Sequence, residues 1–125
     1  MPQSIDVPGL AHKVPIPLGA RAGNVLCSSA IAGKDPSTGK LAETPADQVR
    51  LAFENLKRFL DAGGATLDQV VKLAVYVKDD SVRAHIDPHW LAFWPDAAHR
   101  PARHVTTYDL QHGMVIQLET LAVVA

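Results

Sequence analysis

The sequence predicts a single α+β domain, residues 1–125, in which a mixed β-sheet carries two helices packed on one face. Its 125 residues fit the usual size of one domain. Apolar residues recur with strand periodicity in some segments and with helix periodicity in others, giving the order β-β-α-β-α-β-β. Two helices are too few to cover both faces of such a sheet. We therefore expect a partner subunit to cover the second face.

The first part of the chain predicts an irregular arm and two strands. Residues 1–12 are interrupted by proline and glycine, and Lys13–Leu18 holds two prolines, so it forms at best an edge strand. Ala20–Gly23 is predicted to turn the chain into a strand at Val25–Ile31. Gly33–Lys40 is rich in loop-forming residues and predicts a loop.

The clearest element is a helix that begins after Thr44. Thr44 suits the N-cap, Pro45 suits the first helical position, and Gly63-Gly64 suits the C-terminus. Apolar residues recur at spacings of three and four and form one stripe, consisting of Val49, Ala52, Phe53, Leu56, Phe59 and Leu60. We expect this stripe to pack against the sheet.

The second part of the chain predicts a strand, a helix and two closing strands. Val70–Val77 is rich in β-branched residues, which favour a strand. Val82–Trp94 is predicted as the second helix, although Pro88 removes a backbone donor unless it lies in the first turn. Ala102–Tyr108 and Met114–Val124 are predicted to form a hairpin.

Composition disfavours several classes of protein. A formal net charge of −1 gives no broad attraction to nucleic acid or to anionic membranes. The N-terminal segment lacks the features of a secretion signal, and no apolar run approaches the roughly 18 residues of a membrane span. The expected location is therefore the cytoplasm. Cys27, the single cysteine, is predicted to be a buried strand thiol.

Six histidines prompt a search for a metal site. His85 and His89 are four residues apart, which would put both on one helical face. No glutamate follows His85, so the H-E-x-x-H pattern is absent, and Pro88 stands between the two histidines. Solvated surface histidines are the better interpretation, and we expect neither a metal ion nor another cofactor.

Three polar residues near the end of the chain are candidates for a binding site. Arg103 opens a predicted strand, where its guanidinium can fork two hydrogen bonds to a carboxylate; a surface ion pair fits equally well. Gln117 and Glu119 are two residues apart on a strand, so they point to one face. In the predicted hairpin that face would approach Arg103, whereas an exposed polar face is the alternative.

Six segments follow one another in the chain: GNVLCSSA, DPSTGK, the helical pattern QVR with NLK, the strand pattern VVK with VYVKD, RPAR, and ETLA. Taken together they resemble the RidA/YjgF family of enamine and imine deaminases, and the resemblance covers the chain from about residue 12 to residue 125. The resemblance implies a chorismate-mutase-like fold and a homotrimer whose sheets form a barrel, with clefts between subunits. It also implies cofactor-free hydrolysis of reactive enamines or imines to 2-oxo acids and ammonia, or of aminomuconate-like acids.

The same resemblance implies roles for individual residues. Arg103 stands at the position of the family's carboxylate-binding arginine, and Gln117 at that of its water-orienting glutamate. Other cleft positions are taken by Ile16 in place of a tyrosine, Asp87 in place of an asparagine, and by Ser29, Ala30 and Val105. Glutamine cannot accept a proton at neutral pH, so Glu119 is the candidate for a substitute base.

Three functions follow as hypotheses. The first is a deaminase of a small reactive enamine, imine or aminomuconate-like carboxylic acid, with Arg103 binding the carboxylate. The second is a non-catalytic, small-carboxylate-binding or regulatory trimer. The third is an endoribonuclease, an activity sometimes attributed to the family, which the near-neutral charge and the lack of a basic, aromatic-rich patch disfavour.

Overall fold

Nine strands and two α-helices make up the fold, and the computed structural model describes residues 1–125. The strands are β1 (Gln3–Ile5), β2 (Gly19–Ala22), β3 (Val25–Ser28), β4 (Ile31–Ala32), β5 (Lys34–Asp35), β6 (Lys40–Leu41), β7 (Val70–Val77), β8 (Ala102–Thr107) and β9 (Ile116–Val123). The α-helices are α1 (Pro45–Gly63) and α2 (Ile86–Phe93), and short 3₁₀ segments occupy Leu67–Gln69, Asp80–His85 and Ala97–His99. No helix has both the length and the apolarity that a membrane crossing requires.

Seven strands form one mixed sheet in the order β1-β2-β3-β9-β7-β8, with β4 also paired to β9. β7 and β8 run parallel, and α2 lies on the crossover between them. The predicted hairpin of the last two strands is wrong, because β8 occupies one edge of β7 and β9 pairs along the other. In this central position β9 also pairs with β3, and its inward side chains Ile116, Leu118 and Ala122 are fully buried.

The first helix forms as its sequence predicts. Thr44 Oγ1 accepts a hydrogen bond from the Asp47 amide at 3.1 Å, and such a cap contributes about 1 kcal/mol. At the other end, Gly64 adopts φ 78°, a left-handed conformation that favours glycine. The predicted apolar stripe is buried and forms part of one core of 23 residues beneath the sheet.

The region before α1 differs most from its prediction. Lys13–Leu18 is not a strand. Gly19–Ala22, most of which was predicted to turn, forms β2 instead, and the turn is limited to the residues around Gly23. The predicted strand Val25–Ile31 is interrupted because Ser29 leaves the ladder: its amide donates to the Leu18 carbonyl at 2.7 Å. The predicted loop Gly33–Lys40 includes the short β5–β6 hairpin.

The second helix is shorter than predicted. Asp80–His85 is a 3₁₀ segment, and α2 begins only at Ile86. Pro88 is the third residue of α2, so its missing amide hydrogen falls in the first turn, where no intrahelical partner is expected. His85 and His89 consequently lie in two different elements.

The sheet has one face covered by the helices, as predicted, and a second that we call the open face. Leu73, Val75 and Val77 of β7 are fully buried under α1 and α2, whereas the alternate residues point away. The open face exposes apolar side chains, namely Val25, Val71, Leu121 and Val123. Cys27 is also exposed there, so the prediction of a buried thiol is wrong: Leu26 takes the inward position.

Candidate functional site

Gln117 and Glu119 point to the open face, as their two-residue spacing predicts. In the β7–β9 ladder, Gln117 is opposite Tyr76 and Glu119 is opposite Ala74, both of which alternate with buried residues. The Gln117 Nε2 donates to Met114 Sδ at 3.3 Å. Together with Tyr76 and Tyr108, the two polar residues line an open depression of about 230 Å³.

Arg103 lies at the outer edge of the sheet, on β8. Its Nη1 donates to Asp87 Oδ1 of α2 at 3.0 Å, and its guanidinium carbon is 4.7 Å from the Trp90 ring centroid. The side chains of Arg103 and Asp87 are 29% and 66% exposed, so the pair is in contact with solvent. The surface ion pair that the sequence allowed is therefore present. The Nε and Nη2 groups of Arg103 donate to no protein atom, which leaves them available to an anion.

Within one chain, Arg103 and Gln117 point to opposite faces of the sheet. Arg103 is in register with Leu73 of β7, which is buried on the helical side, whereas Gln117 is in register with Tyr76 on the open side. The expectation that Gln117 and Glu119 approach Arg103 is thus wrong within the chain, because that expectation depended on the hairpin. β7 separates the two strands instead.

Ser29 and Ala30 lie in a β-bulge beside β9. The ladder pairs Cys27 with Leu121 and Ile31 with Leu118, so four steps along one strand oppose three along the other. The bulge is held by the Ser29 hydroxyl, which donates to the Pro17 carbonyl at 2.8 Å.

The bulge brings several of the predicted cleft positions to one side of β9. Ile16 is half-exposed and immediately precedes Pro17, to which the bulge is bound. Gln117 and Glu119 flank Leu118, the residue opposite the end of the bulge. We call these residues the β9 group: Ile16, Ser29, Ala30, Gln117 and Glu119.

The remaining predicted residues form a second group around β8. Asp87 contacts Arg103 directly, and Val105 is two residues further along the same strand. The Val105 carbonyl accepts a long hydrogen bond from Arg83 Nη2, at 3.5 Å. We call Asp87, Arg103 and Val105 the β8 group. Two strand spacings, or about 10 Å, separate β8 from β9, and Arg103 and Gln117 point to opposite faces, so one chain does not bring the two groups together.

Two contacts in these groups were not anticipated from the sequence. Trp90 was not among the predicted site residues, yet its ring lies 4.7 Å from the guanidinium carbon of Arg103. Trp90 follows Asp87 by three residues on one helix, so the two side chains are neighbours on its surface. That spacing could have indicated that Trp90 lies beside the partner of Asp87. Tyr76 and Tyr108 pack edge to face at 5.9 Å beside Gln117, through a strand pairing that the sequence did not reveal.

The shifted pKa values belong to residues outside both groups. Burial lowers the pKa of His89, which stacks on Phe53 with ring centroids 5.5 Å apart. Hydrogen bonds from Ser37 lower the pKa of Asp35, and those from Ser81 lower the pKa of Asp79. The structure contains no group of three or more His, Cys, Asp or Glu side chains that could hold a metal ion.

Comparison with known proteins gives consistent matches. The family model described as Endoribonuclease L-PSP matches residues 17–124. The 2-iminobutanoate/2-iminopropanoate deaminase of Salmonella typhimurium is 33% identical over 107 residues, covering 84% of each protein. A RutC family protein of Pyrococcus horikoshii is 32% identical over 104 residues, covering 82% of this chain and 81% of that protein.

The fold itself matches a solved structure along nearly its whole length. RidA from the Antarctic bacterium Psychrobacter sp. PAMC 21119 superimposes with a TM-score of 0.89 and 28% sequence identity. The match covers 98% of this chain and 99% of that one.

Proposed function

Because the chain belongs to the RidA/YjgF family, whose model is described as Endoribonuclease L-PSP, we propose that it hydrolyses small imines or enamines of 2-oxo acids. The products are the 2-oxo acid and ammonia. A relative of 33% identity carries the name 2-iminobutanoate/2-iminopropanoate deaminase, which supports this reaction class. The single observation that carries the proposal is the exposed Arg103 guanidinium, held in place yet with free N–H groups.

In the proposed site, Arg103 binds the carboxylate of the substrate. One of its N–H groups contacts Asp87, and the Trp90 ring supports the plane of the guanidinium. This fixes the orientation and leaves the other N–H groups for a forked pair of charge-assisted bonds. An exposed ion pair stabilises a protein by only about 0–1 kcal/mol. Asp87 therefore does not prevent the substrate carboxylate from binding to Arg103 as well.

We further propose that two subunits form each site, within a homotrimer. The β8 group lies at an edge of the sheet and the β9 group lies along its open face, so a second copy must bring the two together. The exposed apolar side chains of the open face favour burial by another subunit. Mixing impaired Arg103→Ala subunits with impaired Gln117→Ala subunits should then restore part of the activity. Mixtures that are no more active than the separate variants after subunit exchange would contradict a shared site.

The chemistry assigned to the β9 group is the delivery of water. Attack of water on the imine carbon gives a carbinolamine, which releases ammonia as the C–N bond breaks and the C=O bond forms. Gln117 donates through Nε2 to Met114, so its Oε1 can accept from the attacking water. Glu119 lines the same depression and, as a carboxylate, can take the proton. Ser29 and the Ala30 amide orient the substrate.

Ammonia release from freshly generated 2-iminopropanoate tests the proposal, with 2-aminomuconate as a second substrate. Arg103→Ala should lower kcat/KM by about 10- to 100-fold, since it removes hydrogen bonds to a charged group. Arg50→Ala is the matched control, because Arg50 pairs with acidic residues on the exposed side of α1. No release above background with either substrate would contradict the proposal, as would equal rates for the two variants.

The second candidate function is carboxylate binding without turnover, favoured by Gln117 at the position of a glutamate and by Asp87 beside Arg103. Gln117→Glu separates the two functions. A gain of about 10²–10⁴-fold in ammonia release would mean a deaminase site whose base is absent. Ribonuclease activity is not proposed, because the net charge is −1; steep salt-dependent RNA binding would argue against that judgement. The cytoplasmic location stays a prediction.

A further inference from the structure

A pocket of about 370 Å³ lies beside the β5–β6 hairpin and includes none of the residues assigned above. Its lining is formed by Lys13, Lys34, Gly39, Leu41, His112 and Met114. Neither lysine takes part in an ion pair of the chain, and no acidic residue lines the pocket. The pocket therefore presents uncompensated positive charge to a small ligand.

One buried side chain of α1 holds two walls of this pocket. Gln48 Nε2 donates to the Ala42 carbonyl at 3.1 Å and to the Gly113 carbonyl at 3.0 Å. Gln48 Oε1 accepts from the Val115 amide at 2.9 Å. The backbone after β6 and the backbone before β9 are thus fixed to the same amide group, so the pocket is part of the folded framework.

The residues that carry the charge are also held. The buried Asn55 amide donates to the Lys34 carbonyl at 2.8 Å, which fixes the backbone of β5 to α1. His112 adopts φ 63°, a left-handed conformation that costs a non-glycine residue about 1 kcal/mol or more. The surrounding turn, anchored through Gly113, maintains this conformation and keeps His112 in the pocket lining.

The pocket adjoins the residue that we propose orients water. Met114 is part of its lining, and the Met114 sulfur accepts the hydrogen bond from Gln117 Nε2. A ligand group held by Lys13, Lys34 and His112 would thus lie on one side of Met114, with Gln117 on the other. Met114 is therefore a neighbour of both the pocket and Gln117, so a molecule that reaches from one to the other would pass Met114.

Building on the deaminase function proposed above, we propose that this pocket binds a second acidic group of the substrate. The substrate class is then a small dicarboxylic imine or enamine, with one carboxylate on Arg103 of the neighbouring subunit, as in the shared site proposed above, and the other between the two lysines. Charge-assisted hydrogen bonds from ammonium groups suit a carboxylate. The volume lies at the lower end of the range for small-molecule sites, which suits part of a short organic acid.

Binding of unreactive acids tests the pocket independently of turnover. Glutarate and butyrate, which differ by one carboxylate, are titrated by calorimetry into the wild type, Lys34→Gln and Lys57→Gln. Lys57 is the control because it pairs with Asp61 on α1, away from the pocket. We expect glutarate to bind the wild type about tenfold more tightly than butyrate, and Lys34→Gln to abolish that preference. Equal affinities of glutarate and butyrate for the wild type would overturn the proposal, as would a preference that survives Lys34→Gln.

Turnover distinguishes failure of this inference from failure of the proposed function. Ammonia release is measured from 2-iminoglutarate and 2-iminobutanoate, each generated from its amino acid by an oxidase. If the pocket binds the second carboxylate, Lys34→Gln should lower kcat/KM about tenfold for 2-iminoglutarate and leave kcat/KM for 2-iminobutanoate unchanged. If both imines are accelerated and Lys34→Gln changes neither rate, the pocket has no such role although the function stands. If neither is accelerated, the function fails, and the calorimetry alone decides about the pocket.

Discussion

Replacing Asp87 by asparagine should strengthen the binding of small carboxylates at Arg103. Asp87 Oδ1 accepts from Arg103 Nη1 at 3.0 Å, so in the proposed site the carboxylate of Asp87 and that of the ligand share one guanidinium. Asparagine has the same shape and its amide oxygen keeps the hydrogen bond, while the negative charge is removed. The ligand then no longer meets a like charge.

The size of this effect follows from the geometry. Two carboxylates on one guanidinium lie roughly 5 Å apart, where Coulomb repulsion is about 1 kcal/mol in a surrounding close to water. A dielectric close to water is appropriate because the Asp87 side chain is 66% exposed. We therefore expect Asp87→Asn to tighten carboxylate binding by about fivefold. Loss of the exposed ion pair should lower the free energy of unfolding by less than about 1 kcal/mol.

The assay is a calorimetric titration of butyrate at low and at high ionic strength. Asp80→Asn is the matched control, since Asp80 also forms an exposed pair with an arginine, Arg83. The gain in Asp87→Asn should shrink as salt screens the repulsion. Unchanged or weaker binding would contradict this expectation, and it would mean that Asp87 mainly orients Arg103 or that the carboxylate binds elsewhere.

Three further predictions concern stability. Asn55→Ala leaves two part-buried carbonyl oxygens without their donor and should lower the free energy of unfolding by about 2 kcal/mol in urea; a loss below about 1 kcal/mol would contradict this. Burial lowers the pKa of His89 below its ordinary 6.5, so the unfolded chain binds a proton more readily, and stability should fall as pH drops through 6.5 towards the folded value. Between about pH 7.5 and 5.5, the melting temperature of His89→Leu should therefore fall less than that of the wild type. An equal fall would contradict a lowered pKa of His89. Gly33→Ala would place a Cβ 2.2 Å from the Gln48 carbonyl oxygen and should cost about 2 kcal/mol or more; an unchanged melting temperature would show that the backbone can give way.

The elements that the sequence predicted well are those fixed by local signals. The cap at Thr44, the apolar stripe and the glycine pair define α1 within its own residues. The β-branched run Val70–Val77 coincides with β7 because β-branched and aromatic residues suit the pleated surface of a central strand. These signals involve only near neighbours in the chain, so a single sequence contains them.

The arrangement of the site could not be predicted in the same way. The two-residue spacing of Gln117 and Glu119 fixed their common face, but it carries no information about which strand lies next to β9. The assumption that consecutive strands pair placed Arg103 beside them, whereas the parallel crossover through α2 puts β8 on the far side of β7. The family resemblance led us to expect eight residues in one cleft. Within the chain they form two groups, and the ion pair among them joins Asp87 to Arg103.

The position of β9 also bears on how the domain is made. β9 comes last among the strands, yet it lies between β3 and β7 and supplies the partner for both. During synthesis, the two halves of the sheet have no shared strand until residues 116–123 have left the ribosome. Nascent chains that stop before this point would expose unpaired strand edges, which are templates for aggregation. Folding of this domain should therefore be late and cooperative, because the full sheet can form only when β9 is available to pair with both β3 and β7.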